Sequence, residues 1–215
     1  MKPQLIIFDF DGTLADTTAA ILKTYRMAIK SIGAERRTDT QCQATIGLPL
    51  KEGFRQLYPD FADEQLDNCV NNYRRIFNEN KKNLVPELYP GVKDTLGKLA
   101  AMGIRMTIAS SRSRESLIEF CDENGITQYF DMILGADDVT HAKPNPEPVL
   151  ITLERMNVGC ENALVVGDMP VDIEMGRGAG CETVGVTYGN SSIDSLKAAN
   201  PGQMIDKFSD ILEIR

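Results

Sequence analysis

Two aspartates two positions apart, Asp9 and Asp11, close the apolar run Leu5-Ile6-Ile7-Phe8 and stand immediately before the chain breaker Gly12. The run is β-prone and reads as a buried strand. Residues i and i+2 of an extended strand point to the same side, so the two carboxylates converge on one small volume. That volume lies at the carboxyl end of a strand, where open α/β sheets bind ligands. Two like charges in a half-buried site are costly unless a cation or a shared proton relieves them. Three later segments carry further residues able to do chemistry: Ser110 and Ser111 after the apolar run Met106–Ala109, Lys143 ahead of Pro144-Asn145-Pro146, and Asp168 and Asp172 after Val165-Val166-Gly167.

Asp9-Phe10-Asp11-Gly12-Thr13 resembles the first motif, D-x-D-G-T, of the haloacid dehalogenase-like superfamily, most of whose members are Mg2+-dependent phosphatases acting through an aspartyl-phosphate. Three more motifs follow in the order that superfamily has, so the resemblance covers nearly the whole chain. It implies Asp9 as nucleophile, since a carboxylate can form an acyl phosphate that splits one hard hydrolysis into two easier steps. Asp11 is then the general acid toward the leaving oxygen and afterwards the base that activates water. Ser110 matches the second motif, whose hydroxyl and neighbouring N–H groups hold a phosphate oxygen, and Ser111 can share that role. Lys143, in Lys143-Pro144-Asn145-Pro146, resembles K-P-x-P, a compact ammonium suited to both phosphate and the nucleophilic carboxylate.

Gly167-Asp168-Met169-Pro170-Val171-Asp172 resembles G-D-x-x-x-D, in which acidic residues complete a metal site. Hard Mg2+ takes oxygen ligands. By resemblance these are Asp168, the Asp9 carboxylate and the Asp11 backbone carbonyl, with Asp172 a ligand or a partner of the ligands. Met169 stands where many relatives have Ser or Thr. Thr45-Ile46-Gly47-Leu48-Pro49 resembles a cap loop that contacts substrate, which makes Gly47 a specificity candidate. Arg55, a turn or two further on, is a candidate for a second substrate charge.

The elements that must position these residues follow from periodicity. Thr17 to Ile32, Thr38 to Ile46, Leu50 to Tyr58 and Asp63 to Asn80 read as helices, the last with Leu66, Cys69, Val70, Tyr73, Ile76 and Phe77 on one face. From Tyr89-Pro90-Gly91 onward, strands alternate with helices, the mark of a parallel sheet. The resemblance supplies the rest of the layout: an α/β protein with a Rossmann-like parallel sheet core (residues 1–15 and 84–215) and an inserted all-helical cap subdomain (16–83). The crossings near 14–17 and 83–90 are then expected hinges.

Composition narrows the partners. A net charge of -8 argues against a nucleic-acid footprint, which needs a basic patch. The five cysteines form no C-x-x-C pair, so neither a disulfide framework nor a zinc site is expected. No 18-residue apolar run occurs and Met1 to Phe8 is too short for a signal peptide, which gives no membrane and a cytoplasmic location as expectations. The single histidine, His141, excludes a His-based triad. Arg36-Arg37, Arg74-Arg75 and Lys81-Lys82 read as solvated helix faces.

The expected function is Mg2+-dependent hydrolysis of a small-molecule phosphate ester by a monomer or weak homodimer, closest to the phosphoglycolate phosphatase-like branch. Inorganic pyrophosphatase stays open. A sugar-phosphate mutase is weakened because Ile21 occupies the position of the mutase histidine. A dehalogenase is disfavoured because Asp11 is present. A catalytically silent phosphate-binding regulator is the remaining alternative.

Overall fold

The computed structural model describes residues 2–80 and 86–214. Six parallel strands form the central sheet in the order β5-β4-β1-β6-β7-β8, namely Met132–Leu134, Arg105–Ala109, Leu5–Phe8, Ala163–Gly167, Glu182–Val186 and Gln203–Ile205. The strand β1 is buried on both faces, which is why it reads as an unbroken apolar run. Ile6 and Phe8 pack on one side with helices α5 (Val92–Ala101) and α6 (Arg114–Glu123). Leu5 and Ile7 pack on the other with α7 (Glu147–Met156) and α8 (Pro170–Gly178). Each such side chain, fully buried, contributes about 1.5–3 kcal/mol.

The chain runs outward from β1 through β4 to β5, then crosses back and continues through β6 on the other side of β1. The order therefore reverses at β1, and the crevice beyond its carboxyl end is the place where such sheets take ligands. Phe8 is in register with both Ile108 and Val166, so Asp9 emerges level with Ala109 and Gly167, one residue short of Ser110 and Asp168.

Between Asp16 and Glu87 the described residues form four helices, α1 (Thr18–Ser31), α2 (Asp39–Gln43), α3 (Leu50–Leu57) and α4 (Asp63–Asn80). They share an apolar cluster of their own in which Ile21, Tyr25, Phe54, Leu66 and Val70 are buried. The helix expected over Thr38 to Ile46 stops at Gln43. It starts well, because Thr38 Oγ1 accepts the Gln41 N–H and Gln41 Oε1 in turn accepts the Thr38 N–H. It ends early because the chain turns at 44–47 toward Gly47, whose φ is +93°.

Two features depart from periodicity. Ala15–Asp16 (β2) pairs antiparallel with Glu87–Leu88 (β3), so the two passages between sheet and helices are joined as a ribbon. The Arg36-Arg37 pair is not a solvated helix face. It lies in the link between α1 and α2, where the Arg37 guanidinium sits 4.4 Å over the Tyr58 ring and its Nε donates to the Leu57 carbonyl. The expected boundary at 83/84 and the Lys81-Lys82 pair fall outside the described residues. No helix among the described residues is long and apolar enough to cross a membrane.

Candidate active site

Asp9 leaves β1 with its N–H bonded to the Val166 carbonyl, which fixes the backbone as the strand ends. Its Oδ1 accepts from Lys143 Nζ at 2.6 Å, and the same ammonium donates to Asp172 Oδ1 at 2.7 Å. All three side chains are at most 4% exposed. Burial pushes the Asp9 carboxyl up to about 7, with Asp172 and Asp11 adding to the rise and Lys143 opposing it. Burial works against charge on Lys143, but Asp172 and Asp9 outweigh it and its pKa is raised. Asp172 is held in turn by the Met169 N–H on its Oδ2, the bond that closes the first turn of α8.

Asp168, 0% exposed, accepts from Thr13 Oγ1 at 3.2 Å and from the Asn190 N–H at 2.6 Å. Burial, then Asp9 and Asp172, raise its pKa well above the usual range. Asp9, Asp168 and Asp172 each offer an oxygen within 4.8 Å of the others. Three buried carboxylates around one ammonium leave negative charge uncompensated, and hard oxygen donors are what a Mg2+-like ion takes. The residues present fit such an ion. Gly12 is required for this packing: its φ is +91°, and a Cβ there would collide with Asp168 Oδ2 and Asn190 Nδ2.

Asp11 turns its carboxylate away from this group. Both of its oxygens pair with Arg112, Oδ2 to Nε at 3.1 Å and Oδ1 to Nη2 at 2.5 Å. Its expected metal contact therefore rests on the backbone carbonyl, as the resemblance has it. Ser110 follows β4 directly, with its N–H on the Leu134 carbonyl, and its Oγ accepts the Arg112 N–H at 3.3 Å. Ser111 Oγ donates to the Gly47 carbonyl at 2.7 Å, which joins the helical unit to the loop after β4. A Cβ on Gly47 would lie 3.0 Å from Met169 Cγ, so the glycine seats that loop against the start of α8. Among the described residues Arg55 bonds to none of Asp9, Asp11, Asp168 or Asp172. It lines a groove of about 390 Å³ with Lys143 and Pro144, and its guanidinium is engaged by Asp63 and Glu52.

No local motif marks Arg112 or Asn190 as a site residue. Arg112 stands two residues beyond Ser110, and Asn190 follows the carboxyl end of β7. The rule that parallel sheets bind ligands at that edge was the available signal for both.

A profile of the haloacid dehalogenase-like hydrolases matches residues 6–186. The chain belongs to that family. This haloacid dehalogenase-like hydrolase is 36% identical to the probable phosphatase IndB of Dickeya dadantii, over 99% of the chain and 93% of that protein. It is 34% identical to the pyrophosphatase PpaX of Bacillus velezensis, over 97% and 94% respectively. A crystal structure of a haloacid dehalogenase-like protein from Bacteroides fragilis superimposes with a TM-score of 0.93 at 30% identity, over 98% of the hydrolase and all of that chain.

Proposed function

We propose that this hydrolase is a Mg2+-dependent phosphatase of small phosphorylated metabolites that works through an aspartyl-phosphate on Asp9. The observation that carries the reading is the Asp9–Lys143–Asp172 chain of hydrogen bonds beside Asp168, at the carboxyl ends of β1 and β6. Asp9, Asp168, Asp172 and the Asp11 carbonyl would hold the ion. Bound there, it would polarise the phosphoryl group and offset the buried carboxylate charge.

Asp9 attacks phosphorus, and Lys143 and Ser110, with Ser111 beside it, stabilise the equatorial oxygens. Asp11 gives a proton to the leaving oxygen and later takes one from the water that cleaves the acyl phosphate. Helices α1 to α4 act as a cap whose closure, sealed by the Ser111–Gly47 bond, excludes water. Arg55 borders the approach through the groove it shares with Lys143.

Hydrolysis of p-nitrophenyl phosphate that needs Mg2+ and is abolished in Asp9→Asn is the expected result. Asp11→Asn should slow both half-reactions by about a hundredfold or more without loss of Mg2+ binding. Undetectable turnover with intact phosphate binding would instead indicate a silent binding protein. Inorganic pyrophosphatase is the second reading, favoured by the likeness to the Bacillus velezensis enzyme.

A further inference from the structure

Arg112 is a largely buried cation with no part in the four motifs. Its side chain is 11% exposed, and it is clamped from several directions. The guanidinium lies 4.7 Å from the Phe120 ring centroid and 5.3 Å from that of Phe77, so it is held between the core helix α6 and the helix α4 of the cap. Nη1 donates to Ser116 Oγ at 3.2 Å, while Nε and Nη2 grip Asp11. Among the described residues, three of its five N–H groups thus find acceptors. A fork of this shape is built to take a planar or tetrahedral oxyanion with two oxygens at once.

Its place decides which oxyanion. Lys143, Ser110 and the ion site attend the phosphoryl group that is transferred, whereas Asp11 faces the oxygen that departs. The cation bonded to Asp11 therefore lies on the leaving-group side, under the cap, on the loop that also carries Ser110. Keeping an arginine out of water there is costly, and one acidic partner that must itself attend the substrate is a replaceable counter-ion.

We propose that Arg112 is the specificity residue for the leaving group, and that the substrate is a phosphate ester or anhydride whose departing part carries an anionic group of its own. This rests on the phosphatase reading above and names the substrate class for the same site. On binding, the leaving group's carboxylate or phosphate takes donors of Arg112, and Asp11 is freed toward the bridging oxygen. A substrate with a neutral leaving group gains nothing from this exchange.

The test compares three substrates in the presence of Mg2+: pyrophosphate, 2-phosphoglycolate and p-nitrophenyl phosphate, the last without a second anionic group. Arg112→Gln should raise KM for at least one of the first two by about ten- to a hundredfold more than for p-nitrophenyl phosphate, the loss of one charge-assisted pair. Which of the two responds tells phosphate from carboxylate. Arg112→Lys should recover part of the KM, and it replaces the glutamine variant as the test if that variant does not fold. An equal fall in kcat on all three substrates would mean that Arg112 only positions Asp11, and would overturn the proposal. So would a larger KM effect from Arg55→Gln. If the wild-type chain turns over none of the three, the phosphatase reading fails by itself. Titration calorimetry with methylenediphosphonate then decides the matter: binding at least tenfold weaker in Arg112→Gln supports the assignment, and equal binding overturns it.

Discussion

Lys143 reaches across 134 positions of sequence to place its ammonium 2.6 Å from Asp9 Oδ1. The same nitrogen holds Asp172, so one cation organises an acid at the end of β1 and another in the first turn of α8. Removing it leaves both acids buried and uncompensated. Lys143→Met should cost about 3–5 kcal/mol in urea unfolding of the cation-free protein. A loss below about 1 kcal/mol, the range of an exposed pair, would show that water reaches the acids.

The same crowding sets a pH dependence. Asp9 titrates at about 7 in the folded protein against 3.8 for the ordinary carboxyl, so between those values the folded chain keeps a proton that the unfolded chain releases. Its contribution to stability therefore falls as pH rises from about 4 to about 7 and is level above that. Asp168 has the same sign. Calorimetry in EDTA should give a Tm that declines over this window, and the decline should be shallower in Asp9→Asn. Identical slopes in the two proteins would remove Asp9 as a source.

Gly12→Ala tests the packing under Asp168. The left-handed backbone alone costs an alanine about 1–2 kcal/mol, and the added methyl must displace the Asp168 carboxylate or the Asn190 amide. Mg2+ is expected to raise the Tm of the wild-type protein, and the variant should keep its fold, seen by circular dichroism, and lose that rise. An undiminished rise would place the ion away from Asp168.

Phe54 has no exposure, and its ring is 5.1 Å from that of Tyr25 and 6.2 Å from that of Tyr73. Phe54→Ala should cost about 3–5 kcal/mol. Because the helical unit has its own cluster, hydrogen exchange should accelerate in α1, α3 and α4 while amides of β1, β4 and β6 stay protected. Equal acceleration in the sheet would mean that the two parts unfold together.

Much of this was legible in the chain because it is encoded over short stretches. The strand Leu5–Phe8 is recognisable from consecutive apolar residues, α4 from a stripe repeating at helical spacing, and the four acidic, serine and lysine motifs from residues a few positions apart. These are local preferences, and nothing distant needs to be known to read them. The two strands of the ribbon Ala15–Asp16 and Glu87–Leu88 are too short to carry any pattern, and neither has meaning until the other is beside it.

By itself, then, the order of amino acids determined the alternation of elements, the family to which the chain belongs, and the acids, serine and lysine that converge at the strand ends. Only the folded chain decided that Arg112 meets Asp11 across 101 positions, that Ser111 bonds to Gly47, and that the Asn190 N–H lies against Asp168. Those pairings depend on which strands lie side by side and on how the helices settle over them. Such contacts are set by packing of the whole apolar interior, a property that no short window of sequence contains.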